Sequence, residues 1–221
     1  MIIQTILLIP VIFLCFFLLY MFSKQDFVLL RQNISLSEIF DLSALTLITG
    51  FIFGRIFYIL NVFNFQLFNI LQFFHLFRFP GISNLGFFTG GAIAIYMLFR
   101  NQKGMSRIFD IFSLSFFPLF VFIILVEFIE KHSWYLLGAV LTISVISFIF
   151  FIKSHSRYIL RDGGISIIFY IYLALITLIS QFLLKNGYMI FLHLDFSQII
   201  SIPIVIASCV ALYFNQKGKE K

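Results

Sequence analysis

Charge is scarce in this chain. Asp, Glu, Lys and Arg make up 11% of its 221 residues, whereas 62% are hydrophobic, and the mean hydropathy is +1.08. No single soluble core can bury so large an apolar fraction, so soluble classes are excluded. Cysteine is nearly absent. Cys15 and Cys209 both fall inside apolar runs, and neither has a metal-ligand spacing to another Cys or His, so no disulfide, metal site or cofactor is expected. The first apolar run, Ile2 to Phe22, lacks a basic leader, and around Tyr20 to Ser23 it lacks the small residues that precede signal cleavage; it is expected to stay in the membrane. Cys15 follows Phe13 and Leu14, which argues against lipidation of this chain itself. There is also no G-x-x-x-x-G-K-[ST], no H-E-x-x-H, no G-x-S-x-G and no pair of acids within one span. These gaps exclude the nucleotide-hydrolysing, zinc-protease and serine-hydrolase readings and argue against an ion pathway.

What is present is apolar. A spanning helix needs about 20 such residues, and the apolar runs between polar breaks give seven candidates, approximately 2–22, 42–62, 86–99, 109–127, 134–152, 164–184 and 199–214, of which the third is short and can begin inside the preceding loop. The fold class expected is therefore all-α, a polytopic membrane helix bundle forming a single transmembrane domain over 1–221. Phe supplies 34 residues, read as a compositional habit or lipid-facing filler. The net charge of +6 belongs to orientation, not to a nucleic-acid partner. With the N-terminus outside, eleven basic residues fall on inner segments, from Lys24 and Arg31 to Lys217, Lys219 and Lys221, and only Arg78, Lys131 and Lys185 on outer ones. The positive-inside rule thus gives N-out and C-in.

The remaining basic residue, Arg55, sits within the second span in Gly50-Phe-Ile-Phe-Gly54-Arg55-Ile-Phe-Tyr58. It lies about 20 Å along the helix from the inner start of that span, hence in the outer half. Two readings stay open: an arginine that snorkels to outer headgroups, or a buried cation holding a lipid phosphate. Gly50 and Gly54, four residues apart, allow close approach of a neighbouring helix. Residues 61–85 mix large aromatics with Asn, Gln and His before a Pro-Gly break, as in an interfacial amphipathic helix or a shielding connector. His75, His132 and His193 map to outer loops and His155 to an inner one, so no histidine is expected in a span. Glu127 and Glu130 close the fourth span; Glu127 is either part of a solvated helix end with Lys131 or the partner of Arg55.

Four blocks resemble the prolipoprotein diacylglyceryl transferase family. Gly54-Arg55-Ile56-Phe57-Tyr58 is similar to its G-[AG]-R-[IL]-G-Y segment, with Phe57 for a glycine. Gly86-Phe87-Phe88-Thr89-Gly90-Gly91-Ala92 is similar to S-F-H-G-G-L, followed by a helix and a basic turn, Arg100 to Arg107. Asp110 resembles the aspartate opening the next helix, with Pro118 following. Ser197-Gln198-Ile199-Ile200-Ser201-Ile202-Pro203-Ile204 is similar to the segment before the last span.

The resemblance covers roughly 40–130 and 163–215. It implies a multi-pass protein of a bacterial cytoplasmic (inner) membrane that transfers diacylglyceryl from phosphatidylglycerol to the lipobox cysteine thiol of a prolipoprotein, whose signal peptide would be the protein partner. By resemblance Arg55 contacts the lipid phosphate, Tyr58 donates a hydrogen bond, and Gly90 and Gly91 permit close lipid approach. Thr89 stands where the family has its histidine, and Thr177 and Ile124–Glu127 fall where further arginines and an asparagine would be. No catalytic residue is thereby assigned. Thr89, Glu127 and Thr177 are expected to line one cleft with Arg55. The alternative is a non-catalytic phospholipid-binding or scaffold protein on the same fold.

Overall fold

The computed structural model describes residues 2–24, 26–62, 73, 81–100, 104–130, 134–184 and 196–217. Eight helices are described: α1 (Ile2–Lys24), α2 (Phe27–Arg31), α3 (Leu36–Val62), α4 (Asn84–Phe99), α5 (Met105–Glu130), α6 (Trp134–Ser156), α7 (Gly164–Leu184) and α8 (Phe196–Lys217). No strand occurs among the described residues. Four helical stretches are long and apolar enough to cross a membrane, Leu36–Val62, Met105–Val126, Leu137–Ser156 and Phe196–Lys217; Leu8–Lys24, Asn84–Phe99 and Gly164–Ile179 are shorter apolar helices. Each of the seven expected runs falls on a helix. The interfacial segment expected at 61–85 lies mostly outside the described residues.

Helix ends follow local chemistry. Asp26 caps α2 by accepting from the Val28 and Leu29 N–H groups at 3.0 and 3.2 Å, which satisfies donors that have no partner within the helix. At its far end Asn33 adopts φ +56 and the Ile34 N–H bonds back to Leu29 O, a left-handed stop that asparagine tolerates. The Ser83 side chain accepts from Gly86 N–H at 3.5 Å, so α4 begins at Asn84, two residues before the expected run.

The chain divides into two compact units. The first comprises Met1–Leu36, Lys103–Ile171 and Ser208–Lys221. Here α5 packs against both α1 and α6, and 67% of its spanning window is buried against 17% for α6; α5 is the central helix and α6 a peripheral one. Phe117 on α5 stacks on Phe148 at 5.6 Å and meets Phe151 and Phe169 edge-on at 5.4 and 6.1 Å, contacts that add to area burial. The phenylalanines read as lipid-facing filler are thus partly the core of this unit. The outer face of α6 presents Ile143, Val145, Ile146 and Ile149 exposed, a patch that water would not tolerate but lipid would.

The second unit comprises Ser37–Gln102 and Tyr172–Ala207. Its α3 and α4 touch along a glycine seam. A Cβ at Gly50 would meet Phe87 O at 2.9 Å, one at Gly86 would meet Phe53 O at 2.6 Å, and one at Gly90 would meet Thr49 O at 2.7 Å. These neighbours are backbone atoms and cannot swing aside. Gly90→Val should therefore force the helices apart and lower stability by about 1–3 kcal/mol, measured as a fall in detergent melting temperature. Gly91→Ala, whose Cβ finds only ordinary contact with Thr46 at 3.8 Å, should be close to neutral.

Candidate functional site

Arg55 lies on the second-unit helix α3 and is fully buried. Its Nε donates to Phe73 O at 3.0 Å and its Nη1 to Gly81 O at 2.7 Å, while the guanidinium carbon stands 5.4 Å from the centre of the Tyr58 ring. Buried charge is costly, and backbone carbonyls together with an aromatic face are neutral partners that orient a cation. Gly81 completes the arrangement: its φ is +149, and a Cβ there would overlap the Tyr58 ring. Gly81 is thus the place where the chain presses onto Tyr58. The next residues fasten the connection, since the Ser83 N–H donates to Gly54 O at 2.9 Å.

The other expected site residues fall as follows. Thr89, Gly90 and Gly91 lie on α4 and Thr177 on α7, in the same unit as Arg55. The Thr89 hydroxyl donates to Gly86 O at 3.0 Å and that of Thr177 to Leu173 O at 2.8 Å, bonds within their own helices. At Gly90 the close approach is that of α3. Glu127 lies on α5, and its pairing with Arg55 or with Lys131 lies outside the described residues.

Sequence reasoning passed over the end of α3. Asn61 Oδ1 accepts from the Ser197 N–H at 2.8 Å and caps α8 from another helix, with Phe57 edge-on to Phe196 at 5.4 Å. Ser197, Gln198 and Ser201 are buried on the first turns of α8. The signal lay in the Ser-Gln-x-x-Ser spacing, which places polar groups at i, i+1 and i+4 in an otherwise apolar run.

A second polar centre, within the first unit, was also missed. Arg107 Nε bonds Asp26 Oδ2 at 2.7 Å and Arg107 Nη1 reaches Asp162 Oδ1 at 3.5 Å. Arg107 Nη2 lies 3.5 Å from His155 Nε2, and its guanidinium carbon is 4.8 Å from the Tyr158 ring centre. His155 was expected in a loop; it belongs to the last turn of α6 and is buried, because the ion pair gives that polar turn a place inside. One turn along α5, buried Asp110 accepts from the Gly163 N–H at 2.7 Å and the Ser166 N–H at 2.8 Å, capping α7. It sits in the second turn of its helix, not at the opening.

Among the described residues no group of three or more His, Cys, Asp or Glu could hold a metal ion. Compared with family models, curated proteins and solved structures, the chain matches none.

Proposed function

We propose that the chain is a multi-pass membrane protein of the prolipoprotein diacylglyceryl transferase type, with seven spans, N-terminus out and C-terminus in, in a bacterial cytoplasmic membrane. Its substrate on this reading is phosphatidylglycerol. The sulfur of a lipobox cysteine bonds to the glyceryl carbon, the carbon–oxygen bond to phosphate breaks, and glycerol phosphate leaves with the balancing proton. The observation that carries the reading is Arg55, a buried guanidinium in the expected outer half of α3, beside the Tyr58 ring. A guanidinium held in place by the Phe73 and Gly81 carbonyl oxygens can attract a phosphate oxyanion and the charge that grows on the leaving group. The orientation draws on the first unit, where Arg107 near the start of α5 meets Asp26, two residues beyond the basic end of α1, and His155 in the last turn of α6, in keeping with one shared inner end.

One observation favours the non-catalytic phospholipid-binding reading. Thr89, at the family's histidine position, directs its hydroxyl into its own helix, and a threonine hydroxyl does not take a proton from a thiol near neutral pH. Complementation separates the two. Expression of the chain in cells depleted of their own transferase should restore prolipoprotein lipidation, and the Arg55→Leu variant should not. Failure of the unaltered chain to restore it, at normal membrane abundance, would overturn the transferase reading and leave the binding one.

A further inference from the structure

Away from both polar centres, the last turns of α8 line an open cleft of about 480 Å³ with Cys209, Leu212, Tyr213, Gln216 and Lys217, all within the first unit. Their spacing of i, i+3, i+4, i+7 and i+8 puts them on one helix face, and the volume is that of a small-ligand site. The cleft is graded in polarity. Cys209 and Leu212 form its apolar part and Lys217 its charged end. Tyr213 lies between them, 62% exposed, with Lys217 Nζ 5.7 Å from its ring centre. No carboxylate among the described residues pairs with Lys217. A second exposed cation stands at the same helix end: Arg161 Nη1 donates to Asn215 O at 3.3 Å, which engages one of its five N–H groups. Asn215 Nδ2 donates in turn to Asp162 O at 3.1 Å, so the connection between α6 and α7 holds Arg161 beside the last turn of α8. Buried Arg107 is committed to Asp26, whereas Lys217 and Arg161 are open to a visiting anion.

We infer that this cleft seats one anionic phospholipid, its phosphate beside Lys217 and Arg161 and an acyl chain along Leu212 and Cys209. Tyrosine and lysine are suited to headgroup level, the ring at the apolar boundary and the ammonium beyond it. Lys217 and Cys209 are eight residues apart, about 12 Å at the helical rise, which places Cys209 inside the hydrocarbon of that leaflet. Charge selects the lipid, since a zwitterionic headgroup offers two cations no net attraction. The site needs only that α8 crosses a membrane, for which it is long and apolar enough, and stands whether or not the transferase reading does. On the proposed orientation the leaflet is the inner one.

The cleft carries its own reporter position. Cys209 is exposed and Cys15 buried, so a small thiol-reactive fluorophore on the folded full chain marks Cys209. In phosphatidylcholine nanodiscs holding some phosphatidylglycerol, bromine on the acyl chains of one lipid or the other quenches the label by contact. Brominated phosphatidylglycerol is expected to quench beyond its share of the lipid, and brominated phosphatidylcholine not. Lys217→Gln should lower this preference about fivefold, the effect of one exposed cation at an anionic surface, and Lys217→Gln with Arg161→Gln should abolish it. Lys217→Arg, which keeps the charge, should keep it. Lys24→Gln is the control: Lys24 also stands over a tyrosine, 5.2 Å from the Tyr20 ring centre, but lies outside the cleft, and the preference should change less than twofold. Arg55→Leu should likewise leave it in place, which separates this site from the one proposed at Arg55. Equal quenching by the two lipids in the unaltered chain, undiminished preference in the double variant, or a loss in Lys24→Gln as large as in Lys217→Gln would each overturn the proposal.

Discussion

Asp110→Leu is expected to destabilise the protein by about 3–5 kcal/mol, the sum of two lost charge-assisted hydrogen bonds at roughly 1.5–3 kcal/mol each, less what the added apolar contact returns. The carboxylate accepts from the Gly163 and Ser166 N–H groups, two donors at the start of α7 that have no partner within their own helix. Leucine leaves both buried and unsatisfied. The helix dipole acts in the same direction, since the start of a helix favours negative charge. Asp110→Asn separates the contributions: it keeps one acceptor oxygen but turns an amide NH2 toward the other donor, and about half the loss should remain. Unfolding in mixed detergent micelles checks both variants. A loss below about 1 kcal/mol in the leucine variant would show that water replaces the carboxylate.

The second large effect concerns Arg107. Arg107→Leu removes the partner of a buried carboxylate, a change that costs about 3–5 kcal/mol because the remaining charge is left in a poorly solvated place. The Asp26 carboxylate is bonded to Arg107 on one oxygen and caps α2 with the other. A second substitution that removes the charge and keeps the cap should therefore rescue the first. Asp26→Asn does this, and the double variant is expected to recover more than half of the lost stability, whereas Asp26→Leu, which also removes the cap, should recover less by about 1 kcal/mol. Melting temperatures of the two doubles against the single variant decide the matter. Equal rescue would mean that the cap contributes nothing.

Much of the fold was legible because a bilayer leaves a coarse mark, a run of about 20 apolar residues. Helix ends were less so. Lys153 and His155 look like loop residues, yet α6 continues to Ser156, since buried Asp26 and Arg107 receive the imidazole. Asp26 and Arg107 are 81 positions apart, and Arg107 and His155 are 48; no local spacing announces such a set. Arg55 was visible as a charge in an apolar run. Its partners were not, because Phe73 and Gly81 bind it through carbonyl oxygens that every residue possesses. The glycines of α4 show the same limit: they could admit a lipid or a helix, and only the position of Thr49 O shows that Gly90 admits α3.

The central claim is that Arg55 holds a phospholipid phosphate, and direct binding tests it most closely. Affinity for phosphatidylglycerol, measured in nanodiscs of phosphatidylcholine, should fall about tenfold or more in Arg55→Leu, the effect of losing one charged contact in a poorly solvated site. Arg78→Leu, in the expected interfacial connector, should change it less than twofold. Arg55→Lys, which keeps the charge but loses the planar fork that bonds the Phe73 and Gly81 carbonyls, should fall between. Affinity unchanged in Arg55→Leu, in a protein that still melts as the unaltered chain does, would contradict the headgroup site and the transferase reading built on it.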